Sequence, residues 1–387
     1  MTEQHPSRMG HPPDFVTEPS TAPIYQTTAF DVPDLKVLAD IYSGNVTGHV
    51  YTRDSNPNHA ALSDSIAAME GAEAGCVFSS GMGAIAAVLM HLAGSGDHIL
   101  VAKSLYGITL KLIARLHQKF GVHVSYVDAG DSESIKAALQ PNTKMCLVES
   151  ISNPLLEVTD IRMVADTLGD VPLVVDSTFT TPELIRPIEH GATIVVHSAS
   201  KYLNGHGDVM LGVAAGTIRR MKSVRSTASA FGQNGNPFES WLTQRGLKTL
   251  PLRMKQICNT TTQLAEFLHD HAGTRQVFHP SLPEHATHQL AAKLYPNGTG
   301  GIVSFRLVAD GKECVSNFMR AAANIPFSPT LADPRTTLSH PATTSHAFMS
   351  RQDRAAIGIT DELVRLSVGL ESFEILRDEL GQALSKV

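Results

Sequence analysis

Lys201 stands in "HSASKYLNGHGD" (197–208), an amine among small hydroxylated residues directly after the apolar run "TIVV". Three other apolar runs end in residues able to do chemistry. "CVF" closes on Ser79-Ser80-Gly81-Met82-Gly83, "CLVE" ends in Glu149 and continues to Asn153-Pro154, and "LVVD" ends in Asp176. In an open α/β sheet, ligands bind beyond the carboxyl ends of the strands, so residues at those ends are placed to meet one. The Ser-Ser-Gly-Met-Gly turn opens a helical pattern, where free backbone N–H groups and the helix dipole suit a phosphate. It has neither the Gly-Lys-Ser/Thr of a P-loop nor the third glycine of a dinucleotide fingerprint. Asp176, at the end of a buried strand, needs a cation or a protonated nitrogen as partner. Lys201 has no carboxylate beside it in sequence, which suits an amine of depressed pKa able to form a Schiff base. Singly, each feature has a structural alternative: a tight strand-to-helix turn, a cap for a helix at "TPELIRPI", and a surface-loop lysine.

Taken together, a phosphate-binding turn, a buried acid and a lysine on strand ends meet the needs of pyridoxal 5′-phosphate. The turn anchors the phosphate, the acid keeps the pyridine nitrogen protonated so that the ring is an electron sink, and the lysine holds the aldehyde. The serines around Lys201 can donate to the same phosphate, so amine and anchor arrive on one loop.

The elements that must carry these residues follow from the pattern. From about residue 60, helical segments such as "ALSDSIAAME" alternate with the short runs "GCVF", "HILVA", "HVSYV", "MCLVE", "PLVVD" and "TIVVHS". The runs lack polar alternation, as strands buried on both faces of a mostly parallel sheet do. A long helical pattern over "WLTQRGLKTLPLRMKQICNTTTQLAEFLHDH" precedes a region of spaced strands ("GGIVSFRLV") and helices ("VSNFMRAA", "SFEILRDELGQAL"), so a smaller α+β domain is expected from about residue 250. The first two dozen residues, rich in Pro, Thr and Ser, read as an extended arm with no signal-peptide core.

With 387 residues, 42% hydrophobic and 18% charged, the chain reads as an ordinary soluble protein. A formal net charge of −6 and no Lys/Arg cluster argue against nucleic acid, and no apolar stretch is long enough to cross a bilayer. Four scattered cysteines without a CxxC pair fit structural thiols of a reducing compartment, so a cytoplasmic location is expected. Of 18 histidines, His285 and His288 lie close together, but no second cluster accompanies them at metal-ligand spacing, so no metal site is expected.

From "PIYQTTAF" (23–30) to "VRLSVGLES" (364–372) the chain resembles the Cys/Met-metabolism family of pyridoxal-phosphate enzymes, which includes cystathionine γ-synthase, cystathionine γ- and β-lyases, methionine γ-lyase and O-acetylhomoserine sulfhydrylase. "YTRDSNPNHAAL", "SSGMGAI", "SLYG", "ESISNPLLEVTDI", "VVDSTFTTP", "HSASKYLNGHGD" and "RGLKTLPLRM" stand in family order. The resemblance implies a fold-type I α/β transferase with a mostly parallel central sheet. It implies an N-terminal arm (1–52) contacting a neighbouring subunit, a large cofactor-binding domain (53–250) and a smaller C-terminal α+β domain (251–387). Lys201 would be the Schiff-base lysine and proton shuttle, and Asp176 the partner of the pyridine nitrogen. Ser80, Gly81, Met82, Ser198 and Ser200 would hold the phosphate. Tyr106 would stack on the ring and help expel the leaving group, while Tyr51 and Arg53 would reach the phosphate of a neighbouring subunit, which would require at least a dimer. Because the family is typically tetrameric, a homo-oligomer built as a dimer of dimers is expected. Asn153 and Arg365 would bind the α-carboxylate of a small amino-acid substrate, with Thr330 near the lysine. The implied reaction is γ-elimination or γ-replacement on a sulfur amino acid or homoserine derivative, with a β-lyase acting on cystathionine or cysteine as the alternative.

Two departures stand out. "TLADPRTTLSHPATTSH" puts Arg335 where several relatives have a glutamate for the distal amino group of the substrate, so an acidic or neutral distal end is expected. After Tyr106 comes Gly107-Ile108-Thr109, without the cysteine of typical methionine γ-lyases.

Overall fold

In the computed structural model, which describes residue 17 and residues 19–386, the six apolar runs of the first half are strands. They are β1 (Ala74–Phe78), β2 (His98–Ala102), β3 (His123–Val127), β4 (Thr143–Glu149), β5 (Leu173–Asp176) and β6 (Ile194–Ser198), and a further strand, β7 (Gly212–Gly216), completes the sheet. The order is β1-β7-β6-β5-β4-β2-β3. From β3 through β6 every neighbour pair is parallel, whereas β7 is antiparallel to both β1 and β6. β1 therefore points the same way as β6, and the carboxyl ends of β1, β2, β4, β5 and β6 open on one side. β2 and β7 are buried along their whole length, as strands covered on both faces must be.

β7 reads Gly-Val-Ala-Ala-Gly, and the small residues have a packing reason. Gly212 pairs with Phe78 of β1 and Ser198 of β6, and a Cβ there would come within 2.1 Å of the Ser80 carbonyl oxygen. Only glycine lets the strand pass so close to the turn that follows β1.

The long helical pattern is two helices, Pro237–Leu247 and Leu250–Asp270, broken at Lys248-Thr249. Pro251 has no N–H to continue an i→i−4 ladder from the first helix but is accommodated in the opening turn of the second. The second helix spans two hydrophobic cores. Its Leu250, Met254 and Ile257 pack with the seven-stranded sheet, and its Leu264 and Leu268 with a four-stranded antiparallel sheet. That sheet comprises β8 (Thr274–Phe278), β9 (Ile302–Leu307), β10 (Thr337–Ser339) and β11 (Leu363–Ser367) in the order β10-β11-β9-β8. Its core includes Phe305 and Phe318, edge to face at 5.7 Å, and Leu376 and Leu380 of the helix Phe373–Leu384. Arg365 lies on β11, an inner strand paired on both sides. Among the described residues no helix is long and apolar enough to cross a membrane, and all four cysteines are buried and unpaired.

Candidate active site

The strand ends converge on one cavity, which Ser80, Tyr106, Glu149, Asp176, Lys201 and Arg365 all line. At the end of β1, Ser80 caps the helix Gly81–Leu92, its Oγ accepting from the Gly83 N–H at 3.0 Å. The N–H groups of Gly81 and Met82 have no acceptor among the described residues, so the positive end of a twelve-residue helix is left to a ligand. Gly81 backs directly onto β6: a Cβ would sit 2.7 Å from Ser198 Cβ. That cradle is closed to any larger residue. Ser198 and Ser200 line the same cavity, but Ser200 Oγ is engaged by Leu211 just before β7, accepting its N–H at 2.9 Å and donating to its carbonyl at 3.2 Å.

Asp176 ends β5. Its Oδ1 accepts the Thr178 N–H at 3.0 Å and the Thr178 hydroxyl, while its Oδ2 has no partner among the described residues. Thr178 Oγ1 in turn accepts the Ser198 N–H at 2.9 Å, tying the ends of β5 and β6 together. Burial raises the Asp176 carboxyl, and the Thr178 bonds and His197 pull it back down. The helix near "TPELIRPI" is a single turn, Thr181–Leu184, that begins after Thr180, so Asp176 does not cap it.

Lys201 Nζ donates to Thr330 Oγ1 at 3.1 Å. Burial and then the Arg365 guanidinium lower its pKa, with Asp333 opposing them. Arg365 is 5% exposed; its guanidinium donates to Asn153 Oδ1 at 3.1 Å and to the Thr330 carbonyl at 3.0 Å. Among the described residues it makes no salt bridge and its Nε has no partner, and burial lowers its pKa to about 10. A buried cation without a counter-ion costs several kcal/mol. A ligand carboxylate repays that cost. Tyr106 precedes the helix Gly107–Phe120, and its N–H donates to Glu149 Oε1 at 2.7 Å; burial raises its phenol, which therefore stays a donor.

Three expected site residues lie elsewhere. Tyr51 and Arg53 are exposed and line a separate hollow with Ser79 and Asn236, the Arg53 guanidinium 5.4 Å from the Tyr51 ring centroid. Arg335 is exposed and outside the cavity, which Asp333 lines instead. Gly369 packs against the Pro334-Arg335 main chain, and a Cβ there would be 2.4 Å from the Pro334 oxygen. His285 and His288 bond the Leu155 and Pro280 carbonyls.

The profile of the family described as Cys/Met metabolism PLP-dependent enzyme matches residues 7–385. The chain belongs to that family. Pyridoxal 5′-phosphate is its cofactor. An O-succinylhomoserine sulfhydrylase of Pseudomonas aeruginosa is 40% identical over 364 residues, 94% of this chain and 90% of that protein. An L-methionine gamma-lyase of Porphyromonas gingivalis is 38% identical over 370 residues, 94% and 92% of the two chains. The crystal structure of a putative O-acetylhomoserine (thiol)-lyase from Campylobacter jejuni, with N′-pyridoxyl-lysine-5′-monophosphate, superposes with a TM-score of 0.90 at 29% identity, covering 94% of this chain and 95% of that one. The fold is therefore that of the family's PLP-dependent enzymes.

The cavity fits the cofactor. Two free amides suit its phosphate, the half-satisfied carboxylate of Asp176 suits its ring nitrogen, and the Lys201 amine suits its aldehyde. Among the cavity residues that sequence reasoning left without a role are Thr178, Glu149 and Asp333. Thr178 had a signal, since a hydroxyl two residues after an aspartate is the pattern of a side-chain-closed turn.

Proposed function

We propose that the protein catalyses γ-elimination or γ-replacement on a sulfur amino acid or a homoserine derivative. The buried, unpaired Arg365 between Asn153 and Lys201 carries this reading. It calls for an amino-acid carboxylate beside a reactive amine. Pyridoxal 5′-phosphate, when bound, supplies an electron sink for carbanions next to the substrate amine. Ser80, Gly81, Met82 and Ser198 would hold its phosphate, joined by Ser200 if its hydroxyl turns away from the Leu211 carbonyl; Asp176 would pair with its ring nitrogen, and Lys201 would hold its aldehyde at rest.

Arg365 and Asn153 clamp the α-carboxylate and so fix the Cα–H bond relative to Lys201. When the substrate amine takes the place of Lys201 at the aldehyde, the freed amine, its pKa lowered, would take the Cα proton as general base and then a proton from Cβ, leaving the electron pair that expels the γ-substituent. Thr330 steadies the amine, and Tyr106, a protonated phenol at the cavity wall, supports departure of the γ-substituent. Arg335 contributes to specificity only by a route outside this cavity, so Asp333 is the first charge that a distal substrate group meets.

The subunit is proposed to act in a homo-oligomer in which Tyr51 and Arg53 complete a neighbour's site. The exposed Leu35, Tyr42 and Tyr51 of the 1–52 arm support this, because apolar side chains at a chain's edge favour a partner surface. Division near residue 250 rests on the two cores, and a cytoplasmic location on the unpaired thiols.

The test is product identification by mass spectrometry after incubation with cystathionine, methionine, O-acetylhomoserine, O-succinylhomoserine and cysteine, each with and without a thiol. 2-Oxobutanoate or a thioether is expected. Pyruvate as the sole product would move the assignment to β-elimination.

A further inference from the structure

Glu149 and Asp176 are ladder partners at the ends of the parallel strands β4 and β5, so two carboxyl-bearing residues stand side by side in the cavity wall. Their surroundings differ. Asp176 receives both the N–H and the hydroxyl of Thr178. Glu149 is 8% exposed and forms no salt bridge among the described residues; Oε1 accepts the Tyr106 N–H at 2.7 Å, and Oε2 is sealed from solvent with no well-formed hydrogen bond among them, although the Asn153 N–H bears on the carboxyl. The carbonyl of a protonated carboxyl can still accept the Tyr106 bond, though less strongly than a carboxylate would. A bare buried carboxylate beside a second one costs far more than one unsatisfied hydroxyl.

We infer that Glu149 works as a neutral carboxylic acid, a positioning residue whose carbonyl Oε1 fixes the main chain of Tyr106 and whose lack of charge leaves the anion of the strand pair on Asp176. The inference rests on the cofactor reading above, since it concerns which carboxyl is free to pair with a ring nitrogen. Burial first, and the Asp176 charge second, raise the Glu149 carboxyl well above the usual range, against the N–H groups of Tyr106 and Asn153. The other charged or titratable groups lining the cavity are Tyr106, Lys201, Arg365 and Asp333, and His197 acts on Asp176 from β6. Were Glu149 ionised, its charge would push Asp176 toward protonation and take away the partner of the ring nitrogen.

Glu149→Gln keeps a carbonyl acceptor and removes only the titration. A carboxyl whose folded pKa is raised contributes its full stability below the ordinary 4.5, and this is withdrawn as pH rises toward the folded value. The melting temperature of the Glu149→Gln holoenzyme is therefore expected to gain progressively on that of the parent as pH rises above the ordinary 4.5. A difference that stays flat, or that turns in the parent's favour, overturns the inference. The second readout is an absorbance titration of apoenzyme with pyridoxal 5′-phosphate. Glu149→Ala is expected to weaken binding about tenfold through the loosened Tyr106, and Glu149→Gln to recover most of that loss. A Gln variant that binds as poorly as the Ala variant would show that the charge is needed. The melting comparison stands alone if Glu149→Ala fails to fold. Neither readout uses turnover, so the substrate assignment can fail separately.

Discussion

The reactivity of Lys201 is set by the charges around it rather than by its own loop. Burial and the Arg365 guanidinium favour the neutral amine, and the half-buried Asp333 favours the ammonium. Asp333 thus restrains a pKa that would otherwise fall further. Replacing it with asparagine removes an anion near the amine and lowers the Lys201 pKa, so apoenzyme of Asp333→Asn is expected to capture pyridoxal 5′-phosphate at its maximal rate down to a lower pH than the parent. Stopped-flow absorbance across a pH series measures this. An unchanged midpoint, or one moved upward, would mean that Asp333 does not act on the amine. The same substitution reports on specificity. Asp333 lines the cavity and Arg335 does not, and loss of the Asp333 charge is expected to favour substrates with an anionic distal group over those with a distal amine.

At the scale of elements, the site depends on how closely β7 approaches the turn after β1. Gly212→Ala would place a methyl group 2.1 Å from the Ser80 oxygen, so either the turn or the strand must move. The expected cost is about 1–3 kcal/mol of stability. Cofactor affinity should also drop, because the displaced turn carries the free amides of Gly81 and Met82. A thermal melt and a cofactor titration check the two effects, and wild-type affinity would show that the turn does not need this contact. β7 was also the strand least legible in the sequence. "HILVA" and "TIVVHS" announce buried strands through β-branched runs, whereas Gly-Val-Ala-Ala-Gly is selected for close packing and carries almost no propensity signal. Lys201, Asp176 and the Ser80 turn were legible because each ends such a run. Spacing puts Arg335 at a family position, but only the fold shows Asp333 lining the cavity and the Arg335 side chain exposed. Glu149 could be located but not given a role, because its neutrality depends on the cross-strand pairing with Asp176.

On the scale of the whole molecule, the cavity supplies a lysine, an acid and free amides, yet Tyr51 and Arg53 lie in a different hollow of the same chain. If they serve a neighbour's phosphate, one subunit's lysine and the other's arginine belong to a single working site, and two dead variants can rescue each other. Lys201→Ala has no amine to hold the cofactor or move the proton, and Arg53→Ala lacks the cation that its neighbour needs. Each alone is expected to lose nearly all turnover. Random reassortment after mixed refolding puts half of the chains into mixed dimers, each with one site that draws both intact residues from the proper subunits. Activity should then return to roughly a quarter of the parent value, the share of sites made whole. No recovery, in a preparation shown by differently tagged chains to contain mixed dimers, would mean that Arg53 serves its own subunit. The hollow that it lines would then be a feature of the monomer surface rather than half of a shared site.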